Sequence, residues 1–215
     1  MGIGSMVIMY LLGLKLFGKR TVGFAAALVL GTSVWYVLRV RSGDLDSTFI
    51  FFYLLTVYFA VLSSRNFKFF TLTMISFACL VLSKTLVGFS AGILILFLNF
   101  PSFIRSKKNI LTGLLGIIIF IALVLPWYYV QAKVYPEFID KHFFRVGMRG
   151  KDFKSFFNLE LELPLFYLHM GVRKWYYLWL AGVGLLIATF RFIKKEYLLI
   201  LLWNLIILYP FLTTN

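Results

Sequence analysis

Apolar residues fill most of the chain in long blocks that are separated by short polar connections. A helix needs about 20 apolar residues to cross a bilayer. Eight blocks, labelled A to H, approach that length: 1–17, 21–39, 47–63, 69–83, 85–99, 110–131, 175–190 and 197–213. The pattern predicts an all-α, polytopic transmembrane helical bundle with about eight membrane segments. Segments D and E are the shortest, which fits either two short tilted helices or a hairpin that does not fully cross.

The composition agrees with this pattern and excludes several classes of protein. Of the 215 residues, 61% are hydrophobic and 14% are charged, and the mean hydropathy is +0.91. About a quarter of the residues of a soluble domain are charged. These values exclude a soluble globular enzyme and a disordered chain. Because Cys79 is the single cysteine, a disulfide scaffold is excluded as well.

The basic residues separate by side of the membrane. The chain has 22 Lys and Arg against 8 Asp and Glu, a formal net charge of +14. Short connections on one side hold eleven bases: Lys15, Lys19, Arg20, Arg65, Lys68, Arg105, Lys107, Lys108, Arg191, Lys194 and Lys195. Those on the other side hold only Arg39, Arg41 and Lys84. Since cytoplasmic loops carry the excess of Lys and Arg, the first set predicts the cytoplasmic side.

This charge distribution also predicts the location and excludes one class of partner. We expect an integral protein of the bacterial inner, or plasma, membrane with both termini outside. The bases interrupt membrane segments and are explained by topology, so they do not indicate nucleic acid as a partner. Membrane lipids are expected partners.

The longest polar connection, 132–174, lies on the predicted outer side. Both histidines and seven of the eight acids fall on that side, and the loop alone holds eight bases that topology does not require. We therefore expect an extracytoplasmic functional site with an anionic ligand. The alternative is a solvated loop that faces anionic lipid head groups.

One stretch of this loop, 136–147, is predicted to form a helix at the membrane interface. It begins with a proline, ends with a glycine and carries an apolar stripe. Lys141, Arg145 and Arg149 follow one another at four-residue spacing, so three cations share one face. An anion such as a phosphate fits the guanidinium groups of Arg145 and Arg149. Ordinary contact with lipid head groups is the alternative.

A second polar region is the turn between segments B and C. Asp46 is predicted to cap the helix of segment C, because its carboxylate can accept the free amides of the first turn. Asp44 is not needed for that cap. Lys84 joins segments D and E on the same side, and it pairs with Asp46, binds a ligand phosphate or extends to the head groups.

Other motifs for catalysis are missing from the sequence, and metal dependence is left open. We find no P-loop, no GxGxxG and no HExxH. A divalent metal needs more ligands than His142 and His169 provide. Pro126 is predicted to bend or end segment F near its outer end.

Four segments together resemble a known family. They are "RSGDLDSTFIFFYLLTVYFA", "ACLVLSKTLVGFSAGILILFLNFP", "LPWYYVQAKVYPEFIDKHFFR" and "HMGVRKWYYLWLAGVGLL". Their order is similar to that of membrane glycosyltransferases of the protein O-mannosyltransferase and aminoarabinose (lipid A) transferase type. The resemblance extends from about residue 20 to about residue 210. It implies a helical bundle of the GT-C type in the cell envelope.

The resemblance also implies an activity and roles for particular residues. Such enzymes transfer a sugar from a polyprenyl-phosphate donor to a lipid or protein acceptor at the outer face. Asp46 matches a supporting catalytic acid. Lys84 matches the lysine of the short-helix turn. The departing lipid phosphate of such a reaction needs positive charge, and on that ground the donor phosphate is assigned to Lys84, Arg145 and Arg149. The acceptor or loop site is assigned to Asp44, Glu137, His169 and Tyr176.

The chain departs from the family in two places. Thr85 follows Lys84 where relatives usually have glycine, and a proline is missing before Trp175. The family's principal carboxylate lies in a first outer loop that follows a first membrane helix, and this chain has no counterpart. We therefore expect residues 1–215 to be a single transmembrane domain that is incomplete relative to the family.

Two other classes of function are compatible with the sequence. One is a non-catalytic membrane protein that binds lipid phosphate. The other is a transporter or flippase, which predicts polar residues in the middle of membrane segments. Asn204 is the main example in segments A–C and F–H, so transport is the weaker alternative.

Overall fold

A computed structural model describes residues 1–138 and 175–213, in which every regular element is helical. The nine α-helices of these ranges are α1 Gly2–Phe17, α2 Arg20–Thr32, α3 Val34–Arg41, α4 Leu45–Arg65, α5 Phe70–Ser83, α6 Thr85–Phe103, α7 Lys107–Val134, α8 Trp175–Phe190 and α9 Lys195–Thr213. A short 3-10 helix, Phe67–Phe69, precedes α5. The predicted all-α class is confirmed for the described residues.

The chain divides into two compact units, Met1–Tyr129 and Val130–Asn215. In the first unit, α4 packs against α1, α5 and α6, and α1 packs against α2. Side chains that are almost fully buried lie along these contacts, among them Val57, Leu80 and Leu94. In the second unit, α8 and α9 pack against each other.

Segment B, predicted as one apolar segment at 21–39, is divided in the structure into α2 and α3. The helix ends at Thr32, Ser33 is extended, and α3 continues in a direction that differs by 63°. The Thr32 hydroxyl donates a hydrogen bond of 2.7 Å to the carbonyl of Leu28, a local bond that competes with helix continuation. Gly31 precedes Thr32 and Ser33, and glycine has a low helix propensity. The break therefore follows from backbone chemistry inside an apolar block.

Segment F differs from its prediction at Pro126. The structure places Pro126 inside α7, which continues to Val134. Pro126 therefore does not end the helix. The first three residues of the predicted loop 132–174 belong to α7 in the structure. The remainder of the predicted interfacial helix 136–147 lies outside the described residues from residue 139 onward.

Long apolar helices indicate an integral membrane protein. Among the described residues, Leu45–Arg65 and Lys107–Val134 are long and apolar enough to cross a membrane, and the bent pair α2–α3 is a third candidate. The remaining apolar helices, such as Gly2–Phe17, are shorter. The number of eight membrane segments stays a prediction.

Candidate functional site

The turn between α3 and α4 is a tight helix-ending motif built around Gly43. Its φ of 67° is left-handed, a conformation that glycine adopts without steric cost. The Gly43 amide donates to the carbonyl of Val40, and the Asp44 amide donates to the carbonyl of Arg39, both at 3.4 Å. These two bonds form a Schellman motif, which satisfies the last carbonyls of α3. The motif brings residues 39 and 44 together.

Arg39 and Asp44 also form an ion pair between their side chains. The hydrogen bond from the Arg39 guanidinium holds the pKa of the Asp44 carboxyl below its usual value, and the Coulombic attraction adds to the same effect. The guanidinium lies over the ring of Trp35, 4.6 Å from its centroid. A planar guanidinium suits both contacts at once. Arg39 is therefore fixed by a ring on one side and carboxylates on the other.

Asp46 lies inside the first turn of α4, and the prediction that it caps this helix is wrong. The helix begins at Leu45, so Asp44 occupies the N-cap position. The Ser47 hydroxyl donates to the carbonyl of Asp44 at 2.8 Å. An acid in the first turn interacts favourably with the positive end of the helix dipole. The Asp46 carboxylate is thereby left for contacts with side chains.

Lys84 is the single residue between α5 and α6, and its backbone is extended. Its amide donates to the carbonyl of Leu80 at 3.1 Å, and its carbonyl accepts from the amide of Gly88 at 2.8 Å. The chain reverses closely here. A side chain at Gly88 would place its Cβ 3.1 Å from the carbonyl oxygen of Leu80. This hairpin presents the Lys84 side chain at the end of the helix pair.

The side chains of Lys84 and Asp46 meet across the two turns. Lys84 Nζ lies 2.7 Å from Asp46 Oδ1, and Arg39 Nε lies 3.5 Å from Asp46 Oδ2. Of the alternatives for Lys84, pairing with Asp46 is the one that the structure shows. Lys84 Nζ also lies 5.8 Å from the ring centroid of Phe49. We call Arg39, Asp44, Asp46 and Lys84 the Asp46 cluster.

The Asp46 cluster is neutral in total and open to a ligand. Two cations and two carboxylates are joined by three ion pairs, and the Lys84 side chain is 49% exposed. A lysine ammonium has three donors, and Asp46 uses one of them. The others can bind a phosphate oxygen. Both oxygens of Asp46 face a cation, so this carboxylate is placed to orient its neighbours.

The opposite end of the first unit has a different character. The guanidinium of Arg65, at the end of α4, donates to the carbonyl of Lys15, in the last turn of α1, at 2.9 Å. About 28 Å of helix lies between Asp46 and Arg65, close to the thickness of a hydrocarbon core. Residues predicted for opposite membrane faces therefore lie at opposite ends of this unit. Which end is extracytoplasmic stays a prediction.

The remaining predicted site residues lie outside the first unit. Arg145, Arg149 and His169 lie outside the described residues. Glu137 follows α7, and Tyr176 is the second residue of α8, both in the second unit. Within the described ranges no group of three His, Cys, Asp or Glu residues could hold a metal ion.

Sequence reasoning missed Arg39 as a member of the site. It was counted only among the few bases of the outer connections. The signal that would have found it is the interval from Arg39 to Asp44 across a glycine, because a Schellman turn joins residues at that separation. The pairing of Arg39 with Asp46 then follows from the start of α4.

The comparison with known families agrees with the first compact unit. Residues 1–129, more than half of the chain, match the sequence profile described as dolichyl-phosphate-mannose-protein mannosyltransferase. The matched range has the same bounds as the unit that contains the Asp46 cluster. No curated protein and no solved structure matches the chain.

Proposed function

Because the chain belongs to the dolichyl-phosphate-mannose-protein mannosyltransferase family, we propose that it acts in sugar transfer from a polyprenyl-phosphate donor. The acceptor is a lipid or a protein, and transfer takes place at the extracytoplasmic face of a plasma membrane crossed by about eight segments. The Asp46 cluster forms part of the site. The observation that carries this proposal is the half-exposed Lys84 ammonium held 2.7 Å from Asp46.

The proposed reaction needs positive charge at the leaving group. The bond between the anomeric carbon and the donor phosphate breaks, and a bond to the acceptor oxygen forms. The acceptor proton passes to a carboxylate base outside the Asp46 cluster, and the polyprenyl phosphate departs with its negative charge. Lys84 stabilises that charge through a charge-assisted hydrogen bond. Asp46 has the supporting role of holding Lys84 in place and orienting the acceptor.

An apolar groove supports a lipid-linked donor. It has a volume of about 470 Å³ and lies among α5, α6 and α7 of the first unit. Its lining includes Phe77, Phe89, Gly92 and Phe120. Phe89 is little more than one helical turn from Lys84, about 7 Å along α6. The groove accommodates part of an isoprenoid chain whose phosphate is at Lys84.

The remaining predicted residues keep their roles as proposals. Arg145 and Arg149 bind the donor phosphate together with Lys84. The acceptor side is assigned to Asp44, Glu137, His169 and Tyr176. The pairing of Asp44 with Arg39 supports a positioning role for Asp44, because a carboxylate fixed by a guanidinium has a defined direction.

The test is a donor assay on the purified chain in nanodiscs. Bound donor and transferred sugar are measured separately with a radiolabelled undecaprenyl-phosphate sugar. We expect Lys84→Gln to weaken donor binding about tenfold, since one charge-assisted hydrogen bond is removed. Lys108→Gln, a cation at the other end of the unit, is the matched control and leaves binding unchanged. Absence of donor binding overturns the proposal, and binding without transfer supports the non-catalytic lipid-phosphate-binding alternative.

A further inference from the structure

A second pocket lies in the first unit at the end opposite to the Asp46 cluster. It has a volume of about 430 Å³ and lies between the last turns of α1 and the end of α4. Leu11, Leu14 and Tyr58 form apolar walls, and Lys15 and Arg65 contribute two cations. The pocket therefore joins an apolar part to a positively charged part.

One of the two cations, Arg65, is held by the backbone of α1. Arg65 Nη2 donates to the carbonyl of Lys15 at 2.9 Å. A guanidinium has five N–H donors, so four are left for a ligand, enough for two parallel bonds to a phosphate. Gly18, with a φ of 68°, ends α1 and also lines the pocket.

The cations at this end have no carboxylate partner within the first unit. Residues 1–129 contain two acids, Asp44 and Asp46, and both take part in ion pairs of the Asp46 cluster. α4 holds Asp46 and Arg65 about 28 Å apart. Eight bases lie at this end: Lys15, Lys19, Arg20, Arg65, Lys68, Arg105, Lys107 and Lys108. An anion that pairs with these cations therefore comes from outside the unit.

We infer that this pocket binds the phosphate of an anionic membrane phospholipid. Lys15 and Arg65 contact the phosphate, and Leu11, Leu14 and Tyr58 contact the first methylene groups of an acyl chain. A free phosphate ion would leave the apolar walls unused, whereas a phospholipid matches both parts of the pocket. The site is distinct from the proposed donor site, because it lies at the other end of α4, and it does not depend on the proposed function.

The experiment titrates the detergent-purified 215-residue protein with dioleoylphosphatidylglycerol or dioleoylphosphatidylcholine and counts bound lipid by native mass spectrometry. We expect the anionic lipid to bind more tightly. The double variant Lys15→Gln/Arg65→Gln should lose about 30-fold in affinity for it, and the matched control Lys107→Gln/Lys108→Gln less than about threefold. Leu11→Trp fills the pocket and keeps its charge, and it should lower affinity as well.

Three results would overturn the inference. Equal affinity for the two lipids shows that the phosphate charge is not recognised. An equal loss in both double variants shows a general surface effect and no pocket. Competition by millimolar inorganic phosphate with no loss on Leu11→Trp shows a site for a small anion. If the pocket double variant does not fold, Leu11→Trp and the lipid comparison decide the question.

Discussion

Arg39 and Asp44 are joined twice, once through their backbones and once through their side chains. The Asp44 amide donates to the Arg39 carbonyl at 3.4 Å, and the guanidinium pairs with the carboxylate. In Schellman motifs the equivalent two positions frequently make a hydrophobic contact. Here the contact is ionic, and Asp44 also begins the next helix. The turn therefore fixes the direction of Arg39 toward Asp46.

Gly43 is expected to control this arrangement. Replacement by alanine forces a side chain into the left-handed region and costs about 1 kcal/mol of unfolding free energy. Asparagine tolerates this conformation better, so Gly43→Asn is the matched control. We expect a lower thermal unfolding midpoint and lower sugar transfer for Gly43→Ala than for Gly43→Asn. Equal behaviour of the two variants contradicts this explanation of the turn.

Asp46 and Lys84 are expected to affect different steps. Asp46→Asn removes the carboxylate that competes with a ligand for Lys84, so donor binding should stay the same or tighten. Transfer should fall about 100-fold, the cost of losing a preorganised electrostatic contact. Lys84→Gln weakens donor binding itself. Separate measurement of bound donor and transferred sugar checks this difference, and a parallel loss of binding in both variants speaks against it.

Arg39 is expected to be a positioning residue that lysine cannot replace. Lysine lacks the planar fork that stacks on Trp35 while it faces two carboxylates. We expect Arg39→Lys to reduce transfer about tenfold without changing donor affinity, since the role is indirect. Arg41→Lys, on the same helix, is the control. The prediction fails if Arg39→Lys retains full transfer.

The existence of most helices was predictable from the sequence, but not their interruptions. The length of an apolar segment predicts where a helix forms. The bounds of α1, α8 and α9 agree with those of segments A, G and H to within two residues. Hydropathy does not report backbone bonds, so the break at Ser33 was missed. The local hydrogen bond of Thr32 inside an apolar block carries no hydropathy signal.

The candidate site was predictable only in part for a similar reason. The distribution of basic residues alone predicts that Asp46 and Lys84 lie on the same side of the membrane, although 38 positions separate them. The cap was assigned to the wrong aspartate, because Asp44 serves both the end of α3 and the start of α4. Arg39 was hidden among bases that set topology, because its role depends on the turn geometry.

Asp44 should give the turn a pH-dependent stability. Its pKa is lowered by Arg39, so it is below the usual value of about 3.9 in the folded protein. The stabilising contact is complete above that usual value and is lost as the pH falls through the folded pKa. We expect the wild type to unfold at a higher temperature than Asp44→Asn at pH 7, with the difference shrinking near pH 3. A difference independent of pH contradicts this origin.

The contact between α1 and α2 should depend on two glycines. A Cβ at Gly13 would lie 2.9 Å from the Gly23 Cα, a backbone atom that cannot rotate away. Close approach through small residues is a common way to pack membrane helices. We expect Gly13→Ala to lower the unfolding free energy by about 1–3 kcal/mol, the usual cost of overpacking. In Gly92→Ala the nearest atom, Phe77 Cζ, is 3.4 Å away, so this control should unfold at or above the wild-type temperature. Thermal unfolding in detergent compares the three proteins. An unchanged unfolding midpoint for Gly13→Ala would show that α1 and α2 can move apart without loss of stability, which contradicts the prediction.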